Sequence, residues 1–125
     1  MAALDLGWTF DVERGPDWLF VRLHEPAEGA GEPFELAEAL WQLLEQHFLH
    51  RVVLEMNDVP MLRSWLAGQL VLLHKRIVTH GGLLRLSGLT EDNYKVLHTL
   101  RLDERFPAYP NRGAAVMGHR PKKPR

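Results

Sequence analysis

Apolar residues recur along the chain with two alternating periods, one of two residues and one of about 3.6 residues. Trp8, Phe10 and Val12 alternate with polar residues, which is typical of a half-buried edge strand. The run from 18 to 23 is apolar at nearly every position, as an inner strand would be. Because the turn residues of ERGPD separate the two segments, we expect a hairpin.

Amphipathic stripes predict helices in the rest of the chain. The first helix should run from about Pro33 to His47, with Pro33 in its first turn. The second should run from about Ser64 to Thr79, and the third over roughly 91 to 101 with Thr90 as its N-cap. The apolar stripe of the second helix consists of Leu62, Leu66, Leu70, Leu73 and Ile77.

Short apolar runs between these helices predict further strands. They are RVVLEM from Arg51 to Met56, LLRLS after the second helix, and RFPAY after the third. Alternation of strands and helices predicts an α/β fold, in which a mixed sheet of about five strands is covered by crossover helices. We expect one domain over residues 1–110, followed by a flexible basic tail over 111–125.

Composition excludes several classes of function. The chain has 125 residues, of which 46% are hydrophobic, so it is long enough for one domain with a sizeable core. Fifteen basic residues nearly balance sixteen acidic ones, so we expect no direct binding of nucleic acid. No cysteine is present, which excludes disulfides and thiolate metal sites. No apolar run is long enough to cross a membrane, and MAALDLGWTF lacks the pattern of a secretion signal, so we expect a cytoplasmic protein.

Candidate catalytic and metal-binding patterns are weak. His47 and His50 are three residues apart, but a third ligand is missing and His50 should already lie beyond the helix. The carboxylates fall in loops and first helical turns, where solvent exposure explains them. No nucleophile elbow or nucleotide-binding loop is present. We therefore expect no enzyme activity, no metal and no cofactor.

A serine lies where the loop NDVPMLR gives way to the second helix. The first turn of a helix has unpaired backbone N–H groups and a partial positive charge, so a phosphate on Ser64 would be stabilised there. Arg63 would lie beside such a phosphate and could pair with it. Ser64 could instead serve only as the N-cap of the helix. Both roles remain open from the residues alone.

The order of elements, together with the segments NDVPML, GQLVLLHKRIVTHGGLLRLSGLT and VLHTLRLDERFPAYP, resembles the STAS domain of bacterial anti-sigma factor antagonists. The similarity runs from about Thr9 to Tyr109. In that family a phosphate-accepting serine lies in a DSSG-like motif that opens the second helix. The motif aligns with residues 63–66, and of its residues this chain keeps the serine, Ser64.

The resemblance implies a regulatory protein that binds an anti-sigma factor or a serine protein kinase by partner switching, with Ser64 as the phosphoacceptor. The matching docking surface would include Asp58, Arg63, Ser64 and Trp65. Trp65 precedes a stripe leucine by one position, so we expect it to lie off the buried face, where a tryptophan beside an arginine suits an interface. Simple packing of Arg63 and Trp65 onto the adjacent loop is an equal alternative.

Two alternatives stay open. The chain could be a scaffold that binds another signalling protein, or a second copy of itself, without phosphorylation. It could also bind a small ligand, such as a nucleotide or lipid, in the crevice above the sheet.

Overall fold

The structure is a computed structural model, and it describes residues 2–118. The strands are β1 (Ala2–Ala3), β2 (Thr9–Arg14), β3 (Leu19–His24), β4 (Arg51–Asp58), β5 (Leu83–Ser87) and β6 (Ala108–Tyr109). The helices are α1 (Leu36–Gln46), α2 (Ser64–Thr79), α3 (Glu91–Thr99) and α4 (Arg112–Met117).

These strands form one mixed sheet in the order β1-β2-β3-β4-β5-β6. The predicted hairpin is present, because β2 pairs antiparallel with β3. The pairs β3–β4, β4–β5 and β5–β6 are parallel, so each of these connections crosses over through a helix. The predicted α/β fold is therefore confirmed, with the two-residue β1 added at the edge of the expected sheet.

Helix α2 supplies the largest share of the helical core. All five residues of its predicted stripe are buried, and they join one apolar cluster with the strands and with α1 and α3. Val52, Leu54 and Met56 of β4 belong to the same cluster. Burial of a leucine or isoleucine side chain contributes about 1.5–3 kcal/mol, so this stripe fixes the rotation of α2 about its axis.

Helix α1 begins later than predicted. It starts at Leu36, so Pro33 lies before the helix and not in its first turn. The N-cap residue makes no side-chain cap, and the N–H of Ala37 instead donates to Gln69 Oε1 of α2 at 3.0 Å. The local sequence could not reveal this start, because the capping group comes from another helix.

The expectation of a flexible tail from 111 is wrong for residues 112–117, which form α4. This helix packs Ala115 against Trp18, Val53 and Tyr109 on the sheet face opposite α1, α2 and α3. A helix of this length is unstable alone, so tertiary contacts must hold it. The predicted tail residues 119–125 lie outside the described part of the chain.

Charged side chains fix α4 on the sheet. Arg112 Nη2 donates to Glu55 Oε1 at 2.6 Å, and the same guanidinium pairs with Glu13. Arg85 Nη1 donates to the carbonyl oxygen of Ala115 at 2.8 Å, near the C-terminal end of α4. The isolated arginines of NRGAAVM and LLRLS gave no sign of this contact.

Helices α1, α2 and α3 end in the same way, with a residue in the left-handed conformation. These residues are Phe48 (φ 54°), Gly81 (φ 76°) and Arg101 (φ 59°). In each case the next N–H bonds back to the helix, as Leu49 does to the carbonyl oxygen of Leu44 at 3.2 Å. Only glycine adopts this conformation without a steric cost, so α1 and α3 end with strained residues.

We therefore expect Phe48→Gly to raise the free energy of unfolding by about 1 kcal/mol, because it relieves strain at a side chain that is 90% exposed. Gly81→Ala is the matched control and should lower it by a similar amount. Chemical denaturation of both variants gives the comparison, and a Phe48→Gly protein less stable than wild type would contradict the assignment.

Candidate functional site

The loop between β4 and α2 is held by two buried side chains and exposes a third. Val59 is fully buried and Leu62 is 2% exposed, whereas Met61 between them is 57% exposed. The N–H of Val59 donates to the carbonyl oxygen of Met56 at 3.1 Å, which turns the chain as it leaves the strand. The loop therefore presents an apolar side chain to solvent from a fixed backbone.

Asn93, in the first turn of α3, supplies the polar contacts of this loop. Its side chain is 1% exposed; Nδ2 donates to the carbonyl oxygen of Val59 at 2.7 Å, and Oδ1 accepts from the N–H of Leu62 at 2.7 Å. One amide thus satisfies a buried donor and a buried acceptor of the loop. The N–H of Asn93 donates to Oγ1 of Thr90, which confirms the predicted N-cap of α3.

A glycine brings the neighbouring loop against the same region. Gly88, which follows β5, has φ 69°, and a Cβ there would lie 2.3 Å from Asn57 Oδ1. Any other residue would be strained at this positive φ, and its Cβ would collide with Asn57 unless one of the two moved. Asn57 and Gly88 therefore set how closely the end of β4 approaches the loop that follows β5.

Ser64 is the first helical residue of α2, and it is exposed. The N-cap position belongs to Arg63, which has extended backbone angles and makes no side-chain cap. The interpretation of Ser64 as the N-cap is therefore wrong by one position. The hydroxyl lies at the positive end of a helix of 16 residues, where anions are favoured.

Arg63 has a partner within the chain. Its Nη1 lies 2.7 Å from Glu25 Oε1, and the Glu25 side chain is only 10% exposed. Glu25 directly follows β3, so the pair joins the end of that strand to the start of α2. A phosphate on Ser64 would therefore have to compete with Glu25 for the guanidinium of Arg63.

Trp65 does not lie off the buried face as we expected. It is half-buried, and its ring centroid lies 5.9 Å from that of Trp8, in a T-shaped arrangement, and 5.5 Å from that of Phe34. Tryptophan is large enough to reach the core from a position beside the stripe, which spacing along one helix does not show. Its truncation would affect folding as well as any interface.

Asp58 belongs to a charged network on the sheet face. Its Oδ2 lies 2.8 Å from Arg22 Nε and 3.1 Å from His24 Nδ1, and His24 Nε2 lies 2.6 Å from Asp11 Oδ2. The hydrogen bond from Arg22 lowers the pKa of Asp58 below its ordinary value. The predicted residues 58, 63, 64 and 65 thus share one short segment, but their side chains have different partners.

The histidines have structural contacts. His50 stacks on Trp41 with ring centroids 5.3 Å apart, and His80 lies 4.6 Å from the same ring. Among residues 2–118, no group of three or more histidine, aspartate or glutamate side chains is placed to hold a metal ion. Within the same range, no helix is long and apolar enough to cross a membrane.

The comparison with protein families identifies the fold. The family model for the STAS domain matches residues 10–115. This chain belongs to the STAS domain family. A search of curated proteins by sequence gave no match.

Solved structures that include anti-sigma factor antagonists have the same fold as this STAS domain. One from Mycobacterium paratuberculosis is 19% identical with a TM-score of 0.71, covering 94% of this chain and 97% of its own. A candidate antagonist from Thermotoga maritima is 20% identical with a TM-score of 0.72, covering 87% and 92%. A serine-to-glutamate variant of RsbS from Moorella thermoacetica is 14% identical with a TM-score of 0.70, covering 87% and 92%.

Sequence reasoning missed three residues of this site: Asn93, Glu25 and Met61. Asn93 lies in a first helical turn, where an exposed polar residue is the ordinary expectation. Glu25 gave no signal, since its partner is 38 positions away. Met61 could have been suspected, because it lies off the apolar stripe and immediately before the helix.

Replacement of Asn93 by alanine should lower the free energy of unfolding of this STAS domain by about 2–4 kcal/mol, since two buried backbone groups lose their partner. Thr90→Ala removes only the N-cap of the same helix and should cost about 1 kcal/mol. Urea denaturation measures both variants. Equal losses would show that Asn93 acts only within α3.

Because of the Arg22–Asp58 pair, we expect the stability of the fold to depend on pH. Because the folded-state pKa of Asp58 is lowered, the pair stabilises the fold above the ordinary aspartate pKa, and this contribution is lost as the pH falls through the folded-state value. Titration of the Asp58 carboxyl by NMR should show its pKa rise in Arg22→Ala and rise less in His24→Ala. An unchanged pKa in Arg22→Ala would contradict the assignment.

Proposed function

We propose that this STAS domain is a regulatory protein of the anti-sigma factor antagonist type, which binds an anti-sigma factor or a serine protein kinase. The docking surface consists of Met61, Arg63 and Ser64, with Asp58 and Trp65 at its border; we call it the α2 docking surface. The observation that carries the proposal is the exposed Ser64 at the first position of α2, on a loop fixed by Asn93.

The position of Ser64 suits control by phosphorylation. A phosphate there adds about −1.5 to −2 charge beside the unpaired N–H groups of the first turn, so the helix itself stabilises the modified form. The loop is held by buried contacts on its other side, so the domain can stay folded while its surface potential changes. A partner that packs closely on the hydroxyl would then be displaced.

Arg63 provides a second consequence of phosphorylation. Its guanidinium pairs with the carboxylate of Glu25, and a phosphate on the adjacent residue competes for the same hydrogen-bond donors. Transfer of Arg63 to the phosphate would leave Glu25 without its cation and release the tie between β3 and α2. Modification would thus change the shape of the surface as well as its charge.

Met61 supplies the apolar anchor of the proposed interface. Methionine adapts to irregular partner surfaces, and interface energy concentrates in a few buried anchors. The ring of Trp65 is half-buried against Trp8 and Phe34. Trp65 therefore contributes to the interface indirectly, through the position of this aromatic cluster. The proposed anchor, Met61, therefore lies four residues before Trp65, which the sequence indicated.

The second candidate function is a STAS scaffold that binds its partner without phosphorylation. The observation that favours it is the existing Arg63–Glu25 pair, which already engages the cation adjacent to Ser64. In either case the domain acts by binding proteins, and we expect no catalysis. The two functions are separated by modification of Ser64.

Incubation with a serine kinase of the partner-switching type and ATP should add one phosphate to wild type and none to Ser64→Ala. Mass spectrometry of the intact proteins measures this directly, and Ser87→Ala serves as a control that removes a buried hydroxyl. Phosphate on the Ser64→Ala protein would refute the assignment. No incorporation with a kinase that binds the domain would favour the scaffold.

Binding of the partner should weaken roughly thirtyfold, about 2 kcal/mol, in Met61→Ala. Leu72→Ala is the matched control, because Leu72 is 54% exposed on α2 but lies away from its first turn. Isothermal titration with the purified partner gives both affinities, with circular dichroism as the folding control. Equal affinities would place the interface elsewhere.

A further inference from the structure

The end of the molecule opposite Ser64 has a basic groove. It lies between the last turns of α2 and the chain that follows α3, with a volume of about 820 Å³, and it is open to solvent. Its cations are Lys75, Arg101 and Arg105, with Glu104 the acidic residue among its lining. The groove's residues on α2 run from His74 to Thr79, so the groove is roughly 15–22 Å from Ser64 along the helix axis.

The three cations lack partners in the described structure. Each is exposed, and within residues 2–118 none of them forms an ion pair. His74 adds no positive charge near neutral pH, because burial and the nearby Arg105 lower its pKa. The side chain of Val78, 51% exposed, adds an apolar surface to the groove.

Arg101 is held in the groove at a steric cost. It occupies the left-handed position at the end of α3, where the equivalent residue of α2 is Gly81. The macrodipole of a helix favours cations in its last turn, but a cation there needs no left-handed backbone. An exposed arginine at this position costs stability and makes no ion pair within residues 2–118, so its guanidinium is available to a second molecule.

A complementary acidic segment lies at the other end of the same molecule. The loop between β3 and α1 carries Glu28, Glu32 and Glu35, all exposed and none of them ion-paired within the described residues. Glu25, at the start of this loop, pairs with Arg63 and ties the loop to the beginning of α2. The acidic loop thus lies near the end of β3 and the start of α2, whereas the basic groove lies near the ends of α2 and α3.

We propose that the basic groove binds the acidic loop of a second copy of this chain, so that STAS domains associate head to tail. Three cations face three carboxylates, and the exposed Val78 can contact the exposed Gly29 and Gly31 between the glutamates. The open groove suits a protein loop better than a small molecule, which pockets usually enclose. Because the two surfaces differ, the contact is heterologous and produces rings or chains of copies.

The energetics fit a weak, salt-dependent association. Exposed ion pairs contribute little each and are screened by salt. The loop borders the α2 docking surface through Glu25 and Arg63, so association would also limit access of a partner to that surface. This last consequence rests on the proposed function, whereas the association itself does not.

Sedimentation velocity at low ionic strength should show the mass of wild type rising with concentration, and high salt should abolish the rise. Lys75→Glu with Arg105→Glu reverses the groove, and Glu28→Lys with Glu32→Lys reverses the loop. Each double variant should stay monomeric alone. An equimolar mixture should associate, because the unchanged groove of the loop variant is complementary to the unchanged loop of the groove variant. Arg14→Ala, which removes a cation outside the groove, should behave as wild type.

Arg101→Gly separates association from folding. It should weaken association several-fold while raising Tm by relief of the left-handed strain. A wild-type protein that is monomeric at all concentrations in low salt would overturn the proposal, as would double variants that do not associate on mixing. Association of either double variant alone to the wild-type extent would also overturn it.

Discussion

The side-chain amide of Asn93 is the contact on which the geometry at the start of α2 depends. A loop that leaves the end of a parallel strand has backbone groups that neither the sheet nor the next helix can satisfy. Here the carbonyl of Val59 and the N–H of Leu62 are both satisfied by one buried side chain from α3. The position of Ser64 is therefore set by α3 as well as by α2.

This constraint explains how a surface loop can be both fixed and exposed. Val59 and Leu62 bury apolar side chains on the inner side of the loop, so Met61 and Ser64 face solvent from a backbone that is held in place. The Arg63–Glu25 pair adds a tie to the end of β3. The phosphorylation that we propose at Ser64 would act on this last tie and leave the buried contacts intact.

Those features that depend on local pattern could be predicted from the sequence. The stripe from Leu62 to Ile77, the N-cap at Thr90 and the alternating strands follow from residue spacing, and the structure contains each of them. The position of Ser64 at the start of α2 belongs to the same group. The function that we propose rests on the resemblance to STAS domains, because no residue pattern indicated it.

The remaining features depend on contacts between distant residues. The start of α1 depends on Gln69, the burial of Trp65 on Trp8 and Phe34, and α4 on charged side chains of the sheet. None of these contacts has a periodic signal, because each partner comes from another element. The same reason hid Asn93, whose amide contacts residues more than 30 positions earlier.

Hydrogen exchange at the backbone N–H of Leu62 tests the central claim most directly. If Asn93 holds the loop, this amide should exchange as slowly as those inside β4, because its hydrogen bond is buried and opens only with the core. Resonance-resolved exchange under native conditions gives the comparison within one protein. Exchange at the rate of an unprotected loop amide would show that the start of α2 is not fixed by α3, and the account would fail.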